Sequence, residues 1–152
     1  MARTYASVGD QTVTTATDTA LTIQSATTVR PEIYWCAFGC ISDAIDFMIR
    51  WTCQRFITDD GAGSSITPTA KDDGDPAALV TVLSNHTTEP SAYVAGEIVL
   101  DMTVNTRAPQ QWHAHDAQDR IVIAAVATEG VGFQPVHGSS TANVIVQMNH
   151  QE

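Results

Sequence analysis

Nine residues constrain this chain more than any others. From Ile45 to Cys53, apolar and polar side chains alternate: Ile45, Phe47, Ile49, Trp51 and Cys53 form one row, and Asp46, Met48, Arg50 and Thr52 the other. A period of two over that length is the signature of a half-buried strand. A helix opened by Ser42 would also bring Ile45, Met48, Ile49, Cys53 and Phe56 to one side. The strand has the cleaner apolar face, and its residues are largely β-branched or aromatic, so the strand is the better reading.

The preceding segment is harder to satisfy. From Glu32 to Phe38 both faces are apolar, with Ile33, Trp35 and Ala37 on one and Tyr34, Cys36 and Phe38 on the other. A strand apolar on both sides needs cover on both sides. In a sandwich one side is the core, so the other expects a loop, an arm or another subunit.

The rest of the chain repeats the strand signal. Apolar alternation recurs in residues 96–104, 111–114, 120–126, 133–137 and 142–148, with turn residues between. Residues 11–25 are rich in threonine and read as a strand, in one or two pieces, near a sheet edge. Residues 61–68 read as a loop or a short edge strand. Residues 76–83 are the one helix expected, because Asp75 is a good N-cap and Pro76 a good first residue. Residues 1–10, ending in a Gly-Asp turn signal, read as a flexible arm. The expectation is one all-β domain over residues 11–152, an antiparallel β-sandwich of jelly-roll type with about eight strands.

Charge narrows the partners. With 7 Lys and Arg against 17 Asp and Glu, the formal net charge is −10. Such a chain repels nucleic acid and anionic membrane. Residues 1–11 lack the apolar core of a secretion signal, which points to a soluble protein made in the cytoplasm. The three cysteines, Cys36, Cys40 and Cys53, are odd in number and read as buried thiols, with a Cys53 link to Cys36 or Cys40 as the alternative.

Few residues offer chemistry. His113 and His115 would face the same way on a strand and could chelate one ion, with Asp119 as a carboxylate nearby. The cupin pattern that uses such a pair needs a glycine where this chain has Arg107, and its second motif is not convincing in residues 133–137. Asp72, Asp73 and Asp75 lack the spacing and the terminal glutamate of a calcium loop. Asp43 and Asp46 would face opposite sides of a strand. No phosphate loop or nucleophile elbow is present in the sequence. The reading is a protein that is not an enzyme, with no cofactor and no metal.

Ordered fragments across most of the chain resemble the jelly-roll cement, or capsid decoration, proteins of tailed bacteriophages. They are RPEIY at 30–34, WTCQRF at 51–56, DPAA at 75–78, NHTTEP at 85–90, NTRAPQQW at 105–112, and RIVI at 120–123 leading to GVG at 130–132. The chain departs from the pattern at residues 113–118, where a Pro-Gly turn would be expected. The resemblance implies a structural virion protein on the outer capsid surface, often a trimer, clamping neighbouring major capsid protein subunits together. It marks Ile33, Tyr34, Trp35, Arg107 and Trp112 as candidates for a subunit or capsid interface, with the arm as a strap. A second reading is a carbohydrate- or receptor-binding jelly roll of a phage fibre or spike, with Tyr93 and Trp112 as an aromatic platform.

Overall fold

A computed structural model describes residues 2–13, 18–41, 46–58, 61–136 and 141–152. Ser42, Asp43, Ile45, Asp59, Asp60 and His137, which figure in the readings above or in the turns between them, lie outside the described residues. The structure is an all-β sandwich of two antiparallel sheets. In chain order the strands are β1 (Thr4–Val13), β2 (Leu21–Gln24), β3 (Glu32–Cys40), β4 (Met48–Phe56), β5 (Ala62–Ile66), β6 (Thr69–Ala70), β7 (Thr81–Thr88), β8 (Tyr93–Asn105), β9 (Gln110–His113), β10 (Ile121–Val122), β11 (Gly130–Val136) and β12 (Ala142–Gln151).

The first sheet runs β10-β3-β12-β1-β6, with β9 also paired to β3; the second runs β5-β7-β2-β11-β4-β8. The wiring is that of a jelly roll. β1 and β12 are neighbours, β3 lies on the other side of β12, and the chain changes sheet at every step except β4 to β5, β7 to β8 and β9 to β10. β2, β11, β4 and β8 form the opposing four-strand unit, and β5 and β7 extend it beyond β2.

The alternation that opened the sequence reading is realised in β4. Ile49, Trp51 and Cys53 are buried, while Met48 and Arg50 are exposed. Trp51 packs against Phe38 of the opposite sheet, ring centroids 5.0 Å apart, and Phe38 also meets Phe133 of β11. These rings join the two sheets into one core. Outside it, Arg50 forms a bidentate pair with Asp101, and Arg120 reaches Glu32 at 2.9 Å. Both arginines thus neutralise carboxylates of their own chain.

Three expectations are corrected. Residues 1–10 are not a free arm, because Thr4 onward is β1, paired to β12 along its whole length and to β6 on its other side. Its inward row is Tyr5, Ser7, Gly9, Gln11 and Val13, all buried. Residues 76–83 are not a helix. Val82, Ser84 and His86 alternate inward along β7, and Leu79 and Val80 donate their backbone N–H groups to the Glu152 carboxylate at 3.0–3.2 Å. The Asp-Pro start signal is overridden by β-branched Val80, Thr81 and Val82, which fit a sheet already waiting beside β2. Likewise β2 is an interior strand and not an edge.

Among the described glycines, Gly130 marks the closest approach of a neighbouring backbone. A methyl group there would overlap the Ile23 carbonyl oxygen of β2 and the Phe56 ring of β4. The carbonyl belongs to a paired backbone and cannot swing aside. Gly130→Ala is expected to destabilise the fold by about 1–3 kcal/mol, as overpacking does. Urea denaturation of the variant would show this as a lower midpoint with an unchanged slope.

Candidate interaction face

The site begins with a defect in β3. Its pairing to β12 runs regularly from Cys40 to Trp35, then jumps, so that Asn149 faces Trp35 while His150 faces Ile33. One residue of β3 is extra, which makes a β-bulge. The bulge changes the phase of the strand. Ile33, Cys36 and Phe38 all point into the core, while Trp35, Ala37 and Gly39 remain half-exposed on the outer side. Ile33 is fully buried and is therefore not an interface residue. The reading that placed Ile33 and Trp35 on one face is corrected for the same reason.

β9 lies along β3 and sets Trp35 opposite His113, Cys36 opposite Trp112 and Ala37 opposite Gln111. The Trp35 indole donates from Nε1 to His113 Nε2 at 3.0 Å, and the rings meet edge-on at 6.1 Å. The same His113 nitrogen lies 3.2 Å from Gln111 Oε1. His115 lies past the end of β9, exposed, beside a depression of about 400 Å³ lined by Tyr34, Asp116 and Arg120. The histidine pair therefore serves two different neighbours. Among the described residues no group of three or more His, Cys, Asp or Glu is placed to hold a metal ion. The amide of Asp119 bonds to Asp116 Oδ1 at 3.3 Å, within the turn.

Tyr34 sits at the bulge, half-buried, and its backbone carbonyl accepts from the Ala114 amide at 3.0 Å. Burial raises its hydroxyl pKa, against the opposing effect of Arg120. Farther along the same outer face, Ala37, Gly39, Pro109, Ile145 and Gln147 line a shallow apolar groove of about 140 Å³. Arg107 is exposed on the turn that leads to Pro109, its amide bonded to Asn105 Oδ1 at 2.8 Å. Trp112 differs from the other candidates, since it faces inward beside Cys36 and packs partly buried against the core. The structure thus brings Trp35 and His113 together, sets Tyr34 beside His115 and Arg120 at the bulge, leaves Arg107 exposed on its turn, and assigns Ile33 and Trp112 to packing. Ile145 was visible in the sequence as an apolar residue on the polar side of its strand; Gly39 and Pro109 carried no such signal.

The remaining candidates have structural roles. All three cysteines are free, so none is in a disulfide. Burial pushes the Cys36 and Cys53 thiols up, and Cys53 adds to the effect at Cys36 from across the core. Tyr93 is not a platform. It packs edge-on against Phe56 at 6.0 Å, over Gly132, and its hydroxyl meets Thr19 Oγ1 at 2.9 Å. Thr19 also bonds to Glu89, whose carboxyl is shifted up by burial, and this polar cluster had no signature in the sequence. Asp72 caps its own turn by accepting from the Gly74 amide at 3.0 Å. Asp46 accepts from Asn105 at 2.9 Å.

Comparisons with protein families, curated proteins and solved structures found no match.

Proposed function

We propose that the chain is a structural virion protein that binds the outside of an assembled phage head and stabilises contacts between major capsid subunits, working as a homo-oligomer. The observation that carries this reading is the outer face of β3, where Trp35 meets His113 next to the bulge at Tyr34, with an apolar groove farther along the same face. Half-exposed aromatic rings with polar tips are the residue types that dominate protein interfaces. Three fragments that carry the resemblance converge on this edge. Residues 30–34 enter β3, residues 105–112 lead into β9, and residues 120–123 contain β10, and both β9 and β10 pair with β3. The other fragments lie elsewhere in the fold.

The mechanism is linkage. A protein that binds assembled shell better than loose subunits stabilises the shell by its binding free energy, and many copies on one lattice add avidity. The reading is tested by localising the chain in purified particles by electron microscopy, with density on the head exterior expected. Density on a fibre or spike would favour receptor binding instead. In a head-binding assay the double variant Tyr34→Ala, Trp35→Ala is expected to lose at least about tenfold in affinity, as truncated interface aromatics do. Val126→Ala, exposed outside this face, should bind as the parent does. Unchanged binding by the double variant would remove the face from the proposal.

A further inference from the structure

β8 does not keep step with β4 along its whole length. Gln54 pairs with Ile98 and Phe56 with Tyr93, so Arg55 alone stands opposite the residues from Val94 to Glu97. That stretch of β8 bows out of the ladder. Gly96 turns it with φ 82°, a left-handed conformation that glycine adopts without strain, and Gln54 Nε2 holds it by donating to the Val94 carbonyl at 2.8 Å. Bulges of this kind re-aim side chains and are over-represented beside functional sites. Here the arch, the end of β4 and the connection from β10 to β11 enclose a pocket of about 360 Å³. Phe56 and Ile123, both buried, form its apolar wall, with Ile57 and Val94 at the rim. Apolar walls with a few convergent polar groups are the usual make-up of a small-ligand site.

Three charged side chains line the pocket: Arg55, Glu97 and Glu129. Arg55 is engaged within the protein. Its Nη1 donates to the Val122 carbonyl at 3.0 Å, and its Nε lies 3.9 Å from the Glu97 carboxylate. Glu129 differs. Its backbone is fixed from both sides, because its amide donates to the Val126 carbonyl and its carbonyl accepts from the Ser25 amide, each at 3.0 Å. Its carboxylate, half-buried, has no partner among the described residues. We infer that this pocket binds a primary ammonium group on a short apolar stem, the stem against Phe56 and Ile123 and the ammonium donating to Glu129. A carboxylate of the same shape would meet two glutamates and an arginine already paired, in a chain of net charge −10. A neutral ligand would gain the apolar contact but not the charge-assisted hydrogen bond. A free alkylamine and a lysine side chain of a second protein share this chemistry. No residue of the Tyr34–Trp35 face lines the pocket, so failure of either proposal leaves the other standing.

The test is a titration of the isotopically labelled full chain, followed by amide NMR, with butylammonium, butyrate and butanol at matched ionic strength. Butylammonium is expected to shift the Ile57, Val94 and Gly130 amides to saturation, butanol to bind about tenfold more weakly, and butyrate not to bind. Glu129→Gln keeps the shape of the side chain and removes its charge, so it should weaken butylammonium binding about tenfold. The dispersion of the variant's amide spectrum shows directly that it is folded. A blocked peptide, acetyl-Gly-Lys-Gly-amide, separates the two sources: tighter binding than butylammonium marks a lysine site, weaker binding a site for a free amine. Butyrate or butanol binding as tightly as butylammonium would overturn the proposal. So would the absence of saturable shifts at these amides, or unchanged binding in folded Glu129→Gln.

Discussion

Removal of residues 1–10 is expected to unfold the protein. The deletion takes away most of β1, which pairs with β12 in unbroken register from Thr4 opposite Gln151 to Val13 opposite Ala142. It also removes Tyr5, which is fully buried, stacks on His150 at 5.4 Å and donates its hydroxyl to the Pro76 carbonyl at 3.0 Å. Loss of one buried aromatic side chain alone costs about 3–5 kcal/mol. The backbone partners of β12 would be stripped as well, against a total stability of about 5–15 kcal/mol for a domain of this kind. Circular dichroism and a thermal melt decide the matter. A truncated chain that melts cooperatively near the parent's temperature would mean that β1 does not hold the sheet. A strap that leaves the domain intact when removed is therefore not available to this chain, and any attachment must come from the folded surface.

The second large effect is acid destabilisation centred on His150. This side chain is fully buried and stacked on Tyr5. Glu152 lies 3.6 Å from its Nε2, close enough to suggest an ion pair. Burial outweighs that proximity and lowers the imidazole pKa to about 4. The Glu152 carboxylate is in any case engaged by the Leu79 and Val80 amides. His150 is thus neutral in the folded protein, while in the unfolded chain it titrates near 6.5. Between these values the unfolded state binds the extra proton, so its contribution to stability is fully present above about pH 6.5, is lost as pH falls, and levels off below about pH 4. The shift corresponds to about 3 kcal/mol. Denaturation of the parent and of His150→Phe at pH 7 and pH 4 measures it. The variant should lose about 3 kcal/mol less than the parent over that interval. Equal losses in the two proteins would show that other groups carry the acid sensitivity.

What could be read from the sequence follows from where the side-chain pattern was honest. β4 was legible because its inward residues are Ile49, Trp51 and Cys53 and its outward ones Met48 and Arg50. β1 was not, because its inward row holds Ser7, Gly9 and Gln11 while Val8 is 43% exposed. Apolar residues there fall on both faces, with Tyr5 and Val13 inward and Ala6 and Val8 outward, and pairing with β12, not periodicity, makes it a strand. β3 was recognised as a strand but not in its phase, since no residue type announces the bulge at Tyr34. The same bulge explains the candidate face. Two apolar rows implied a second covering surface, and the structure leaves Trp35, Ala37 and Gly39 half-exposed on that side. Ile33, drawn from the same stretch, went to the core instead.

The neighbouring positions of β1 and β12 also set an order of events. Thr4 meets Gln151 and Tyr5 meets His150, so the centre of one sheet joins segments separated by nearly the whole described chain. Closing so long a loop has an entropic cost that must be met before the contacts reward it, and chains dominated by such pairings fold slowly. β1 therefore lacks its full-length partner until β12 has been synthesised. Its sparse apolar content, which hid it from periodicity, suits that interval, because a segment of Ser, Gly, Gln and Thr is a poor seed for aggregation.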